Sequence, residues 1–288
     1  MPFSETNVRV LAAAVKQAGG ELPPTLRNLR EAIWAVQGAT GKPNRDPLDR
    51  LADDAAAGKL DAQKAELAIS KAAAHAAEQA HVQQAQQMVA ARLCKRFRTE
   101  LVNGGADQIL NSLRPIFDEH AEAVQRIAAL IPPATTAEQL VSAGTPEQLE
   151  AWRSIDHHVA ALDQIARVAD EFTHHSAAQV IAPPKGFSSQ PHGYAAINGF
   201  VLFCVADSLN PWRAADIDNK PHRGSRWFGA ANHLQLRTVD EARERLRRWC
   251  EETWDAMERS RGKTYRGDTE VIRTNPFRLA EEPAQAGA

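Results

Sequence analysis

The stretch DAQKAELAISKAAAHAAEQAHVQQAQQMVAARLCKRFRTELVN, residues 61–103, decides the fold class. It holds no proline and no glycine, and alanine dominates it. The rest is mostly Gln, Glu, Lys and Leu, residues that cost little to hold in a helix. The composition predicts a single helix, roughly 65 Å long at about 1.5 Å per residue. No compact globule needs such a rod, so it must pack lengthwise on a partner. A stripe at coiled-coil spacing runs through Ile69, Ala73, Ala76, Ala80, Gln83, Gln87, Ala90, Cys94, Phe97 and Leu101. Its small residues permit close approach of a second helix. Gln83 and Gln87 set amides in the stripe, where they fix register in a seam or face water.

Upstream, residues 5–18 fit a short amphipathic helix with Val8, Leu11, Ala12 and Val15 on one face. A second helix, 26–37, carries Leu26, Leu29, Ile33 and Trp34 on its face, and a third short one is expected over 46–57. Downstream, Gly104-Gly105 breaks the long helix. The next helix covers 107–131, kinked near Pro115 and ended by Pro132-Pro133. Thr145-Pro146-Glu147-Gln148 is a helix start: cap, first-turn proline and capping-box glutamine. That helix is expected to reach about residue 178, with Trp152, Ile155, Val159, Leu162, Ala166 and Ala169 as its stripe.

The expected architecture is mainly α. An elongated antiparallel helical bundle spans 1–180, and a Pro/Gly/Ser-rich linker follows at 181–193. A smaller mixed or helical C-terminal module covers 194–278, and a disordered tail 279–288. Segment 107–131 can cover little more than half of the long helix. Self-association, or another helical protein, is the expected cover for the remainder.

Bulk composition excludes several classes. The chain has 288 residues, 43% of them hydrophobic, so it can bury a real core. A net charge of -2 gives no global attraction to nucleic acid or to a membrane surface. Three cysteines, Cys94, Cys204 and Cys250, lie far apart with no C-x-x-C, which is neither a disulfide framework nor a zinc ribbon. The most apolar run, GFVLFCVA at 199–206, is well short of the roughly 20 residues a spanning helix needs. A cytoplasmic protein is the default. Arginine outnumbers lysine 25 to 9, the usage of a GC-rich genome, bacterial or phage.

Two Glu-x-x-His matches, Glu78-His81 and Glu171-His174, raise the di-metal carboxylate enzyme of a four-helix bundle, with Glu31 and Glu119 or Glu122 as further ligands. Helical phase argues against it. Glu171 and His174 fall roughly 160° from the Trp152–Ile155 face, and Glu78 and His81 roughly 130° to 170° from their stripe. Chance supplies about 0.7 such matches in a chain of this composition. The dipeptides His157-His158 and His174-His175 are poor chelates on their own, since neighbours on a helix point about 100° apart. Asp156, Asp163 and Asp170 recur every seven residues and read as a charged edge beside the seam.

Residues 209–278 carry 15 Arg and Lys against 11 Asp and Glu, with four of the six tryptophans. The loop DNKPHRGSRWFG, 218–229, offers Lys220, His222, Arg223, Arg226 and Trp227 as a candidate single-stranded nucleic-acid surface: cations for phosphates, a ring for bases. The helix beyond it pairs its arginines with glutamates and tucks Trp249 and Trp254 into the core. Asp216-Ile217-Asp218-Asn219 resembles the D-x-D-N of the small phage Holliday-junction resolvases, but Lys220 follows at once where the pattern places its basic residue later. No nucleophile elbow, P-loop, dinucleotide fingerprint or H-E-x-x-H occurs. The functional expectation is a non-enzymatic structural, assembly or adaptor protein without a cofactor. Its expected contact residues are Ile69, Ala76, Ala80, Gln83, Gln87 and Phe97. Nucleic-acid binding and a di-metal enzyme are the alternatives.

Overall fold

A computed structural model of the chain describes residues 3–38, 62–131, 135–173, 175–182, 197–218, 225–261, 265–266, 269–270 and 273–278. The protein is mainly helical. The helices are α1 (Glu5–Gln17), α2 (Pro24–Gly38), α3 (Ala62–Glu100), α4 (Ala106–Leu130), α5 (Ala137–Ala143), α6 (Pro146–Asp170), α7 (Gly199–Phe203), α8 (Pro211–Asp218), α9 (Ser225–Gly229) and α10 (Val239–Arg261). A two-residue hairpin, β1 (Tyr265–Arg266) with β2 (Thr269–Glu270), follows. The expected helix over 46–57, most of the 181–193 linker and the 279–288 tail lie outside the described residues.

The chain divides into two compact units. One comprises Val10–Pro23 and Leu101–Ala288, the other Pro2–Arg9 and Pro24–Glu100. This division departs from the expected 1–180 bundle with a separate C-terminal module. In the larger unit α7 packs on α6, α9 touches both α4 and α6, and α10 packs on α7. The segment beyond residue 197 is therefore part of the same core as α4 and α6.

In the smaller unit α2 packs along α3. Leu26 and Ile33 of α2 are buried, while Trp34 is exposed with the Arg30 guanidinium 5.7 Å from its ring centroid. On α3 the stripe is buried at Ala90, Cys94 and Phe97, and Phe3 stacks on Phe97 at 6.0 Å. Burial pushes the Cys94 thiol pKa up, and the charge of Glu5 adds to this, so the thiol is inert.

The break after α3 falls where the glycines stand. Asn103 leaves helical geometry and Gly104 has φ 106°, a left-handed conformation that costs glycine nothing. In the larger unit α4 runs unbroken through Pro115 and packs along α6. Leu113, Phe117, Val124 and Ile127 of α4 and Ile155, Leu162, Ile165 and Ala169 of α6 are buried. The lengthwise partner of α4 is thus α6, and that of α3 is α2.

Both capping boxes foreseen for α6 and α10 are present. Thr145 accepts from Gln148 N–H at 3.2 Å while Gln148 Oε1 accepts from Thr145 N–H at 3.0 Å. Thr238 and Glu241 make the same exchange at 3.3 and 2.7 Å. α6 ends at Asp170, eight residues before the expected 178. The Thr173 hydroxyl donates to Asp170 O at 2.8 Å and Ile181 N–H to Phe172 O at 3.0 Å. Threonine and serine here offer the backbone a turn in place of a further helical turn.

The run 199–206 is a one-turn helix followed by an extended segment, fully buried from Phe200 to Val205. The extended part pairs with 233–237: Ala206 N–H donates to His233 O at 2.7 Å, Gln235 N–H to Cys204 O at 3.1 Å, and Arg237 N–H to Phe203 O at 2.8 Å.

Candidate functional site

Three places in the molecule hold the candidate residues, and each is built from the helices just described.

The first is the surface of α3. Ile69, Ala73, Ala80, Gln83 and Gln87 of the predicted stripe are exposed, Ile69 at 57%. The side chain of Ala76 lies outside those described. Phe97, in contrast, is fully buried in its own unit, so it is core and is not available to a partner. The stripe is thus covered at its C-terminal end and bare before it. Gln83, Gln86 and Gln87 line an open groove with Val36, Gln37 and Glu5, an amide-rich edge beside α2. Leu67, Val82, Met88 and Val89 are also exposed, on the other side of the helix.

The second is the basic and aromatic loop. Lys220, His222 and Arg223 lie outside the described residues. Trp227 is fully buried and donates its indole N–H to Asp163 Oδ1 at 2.8 Å. Arg226 pairs with the same oxygen at 3.1 Å, and its guanidinium sits 5.0 Å from the Phe200 ring centroid. The ring that was to stack on bases is core, and the arginine is engaged by a carboxylate. Asp163 and Asp170, read as a charged edge, instead hold later segments on α6: Asp170 Oδ1 accepts from the Gly199 N–H. Asp216 is exposed, and the side chains of Asp218 and Asn219 are not among those described.

The third place is a histidine cluster. Of the predicted Glu-x-x-His pairs, neither His81 nor Glu171 is part of it. His81 is exposed on α3, the side chain of Glu78 and the whole of His174 lie outside the described residues, and Glu171 caps α6 half-buried. Burial, followed by the charge of Asp170, raises the Glu171 carboxyl pKa. What meets instead is His120 of α4 with His157 and His158 of α6. One ligand atom from each lies within 4.8 Å of the others, and among the described residues no other three His, Cys, Asp or Glu meet in this way. His120 Nδ1 and His158 Nδ1 are 2.9 Å apart, so one nitrogen carries the proton and the other accepts it. The rings stand 5.1 to 5.3 Å apart in all three pairings. His120 is buried, His158 half-buried and His157 exposed.

The environment disfavours the protonated form of His120 and His158. Burial is the main cause of the lowered His120 pKa, opposed by Glu119 and helped by His157. Burial also leads at His158, with His120, His157 and Arg126 lowering the pKa further and Glu119 opposing. His158 also lines an open groove of about 480 Å³ with Arg126, Ser154, Glu147 and Glu150.

His120 was not singled out from sequence because it stands alone, 38 residues from His158. A signal was available. His120 occupies a slot of the stripe Leu113, Phe117, His120, Val124, Ile127, where every neighbour is apolar. A histidine in such a slot must meet a polar partner on the facing helix.

No protein-family model matches the chain, and neither a curated protein nor a solved structure is significantly similar to it. Among the described residues no helix is long and apolar enough to cross a membrane.

Proposed function

We propose that this chain is a non-enzymatic assembly or adaptor protein that self-associates along the N-terminal part of α3. One observation supports it above the others: a single stripe on an unbroken helix is buried at Ala90, Cys94 and Phe97 and bare at Ile69, Ala73, Ala80, Gln83 and Gln87. Lengths agree with this. At about 1.5 Å per residue α2 spans roughly 22 Å and α3 roughly 58 Å, so α2 leaves more than half of α3 uncovered.

A second copy is the occupant that fits. Alanines at Ala73 and Ala80 let two helices approach closely. The charges in this part of the helix, Lys64, Glu66, Lys71 and Glu78, balance, so two copies laid side by side do not repel. An isologous pairing about a twofold axis closes on itself and covers the stripe of each chain with that of the other. Gln83 and Gln87 then face amides across the seam and fix its register.

The test is the solution mass of tag-free protein by light scattering behind a sizing column, with absorbance at 260 and 280 nm. A multiple of 31.5 kDa free of nucleic acid is expected. The double variant Ala73→Glu with Ala80→Glu should elute as the monomer, because both positions are exposed within the chain and glutamate is a good helix former. A monomeric parent protein would overturn self-association. An oligomer indifferent to the two glutamates would remove α3 as its interface, and an absorbance ratio showing co-purified nucleic acid would favour the nucleic-acid reading.

A further inference from the structure

The stripe on α3 leaves the larger unit without a role, and the histidine cluster there calls for a separate account. Two rings are explained by packing alone: His120 occupies a core slot and shares a proton with His158 at 2.9 Å. The third is not. His157 is exposed, makes no part of that hydrogen bond, and still places a ligand atom within 4.8 Å of both others.

The backbone geometry explains how three donors meet. His157 and His158 diverge by about 100° around α6, so alone they cannot chelate. His120 enters from the facing helix and supplies the donor between them, its ring 5.3 Å from His157 and 5.1 Å from His158. α4 and α6 are held together on both sides of the cluster by buried Phe117, Val124, Ile155 and Leu162, so the backbone positions from which the three side chains project are set before any ion arrives. Two donors on one helix and one on its packed neighbour form a rigid frame.

We propose that His120, His157 and His158 form a mononuclear site for a divalent transition-metal ion of the zinc class, with three imidazole donors and water completing the shell. Imidazole nitrogen suits zinc, copper, nickel and cobalt and disfavours calcium and magnesium, which take oxygen. Four-coordinate zinc with nitrogen ligands at about 2.0 to 2.1 Å sets its donors roughly 3.3 Å apart. The 2.9 Å pair must open by a few tenths of an ångström and His157 must swing inward, both within side-chain rotation. For the ring that donates in the 2.9 Å bond to ligate through Nδ1, its proton moves to Nε2 by exchange with water, so both imidazoles bind neutral, and exposed His157 gives the ion a path from solvent. Glu119, whose charge reaches both His120 and His158, offsets part of the charge of the ion.

The site is tested on the full-length, tag-free protein, stripped with chelator and titrated with Co²⁺, followed by competition with Zn²⁺. Wild type should take up one ion per chain, with the intense visible bands of four-coordinate Co²⁺, and Zn²⁺ should bleach them. His157→Ala should bind at least tenfold more weakly and melt unchanged without metal, since that ring is exposed. His120→Gln should abolish the visible bands, and its far-ultraviolet circular dichroism reports whether it has folded. Failure of wild type to bind a stoichiometric ion would overturn the site. So would His157→Ala binding as tightly as wild type, because the ion would then be held elsewhere.

Discussion

Asp207 is half exposed, yet three arginines converge on it: Arg237 at 2.8 Å, Arg245 at 3.4 Å and Arg248 at 3.5 Å. Arg245 is the unusual one. It is 1% exposed, and it donates to Val201 O at 2.7 Å, Ala206 O at 3.1 Å and Leu209 O at 2.7 Å. Its guanidinium satisfies carbonyls of the buried 199–206 run and the turn after it, a task that suits its fixed fork of donors. Burial, with the charge of Arg237, pulls its pKa down to about 10, so it stays charged at neutral pH. Burial alone would raise the Asp207 carboxyl. The hydrogen bond from Arg237 and the charges of Arg237, Arg248 and Arg245 outweigh that and hold it below its ordinary 3.8. A depressed carboxyl contributes stability that is full above its unfolded value and fades as pH falls through the folded one. Asp207→Asn should therefore melt below wild type at neutral pH, and the two curves should converge once pH falls below about 3.8. Thermal melts at a series of pH values check this, and parallel curves throughout would show that Asp207 contributes nothing through its charge. From sequence, Arg245 read as one more surface partner for glutamate on α10. Its neighbours in the chain carry no sign of the carbonyls it serves, because those come from a segment 36 to 44 residues away.

At the scale of elements, the contact that joins the C-terminal segment to α6 passes through Gly199. A Cβ there would sit 2.5 Å from Asp170 N and 2.8 Å from Ala166 O, both backbone atoms that no rotamer change can move. Gly199→Ala should lower stability by about 1–3 kcal/mol, the usual range for overpacking a filled core. Urea unfolding with an unchanged m-value would show it, and a loss below about 0.5 kcal/mol would mean that α7 shifts freely on α6. The caps of α6 and α10 and the break at Gly104 were legible because each is a local matter of two to four residues. The lower half of the α3 stripe was legible too, since Cys94 and Phe97 stand out against alanine. Pairing was not. An alanine-rich helix carries little steric information about what lies on it, so α4 was expected along α3, whereas it packs on α6. The same limit hid the metal-competent group. Chelation was sought in two Glu-x-x-His motifs joined by further glutamates across a bundle, whereas His120 meets His157 and His158 with no glutamate in the group.

At the scale of the whole molecule, the two compact units carry different kinds of feature. The bare stripe lies in Pro24–Glu100, while the histidine cluster, Asp207 and Gly199 all lie in Leu101–Ala288. Units with separate cores unfold as separate cooperative steps when the interface between them is not large. Calorimetry should then resolve two transitions with distinct responses. Gly199→Ala should lower one of them, and Zn²⁺ should raise that same one, because an ion that binds only the folded unit stabilises it by mass action. The other should rise with protein concentration in wild type, as the melting of an assembled unit must, and lose that dependence in the Ala73→Glu, Ala80→Glu variant. Substitutions in different units should add, and a departure from additivity would report coupling between them. A single transition moved by all of these changes together would mean that the chain unfolds as one body. Assembly through α3 and metal binding between α4 and α6 would then both stabilise one and the same folded state, and their effects on its melting would add.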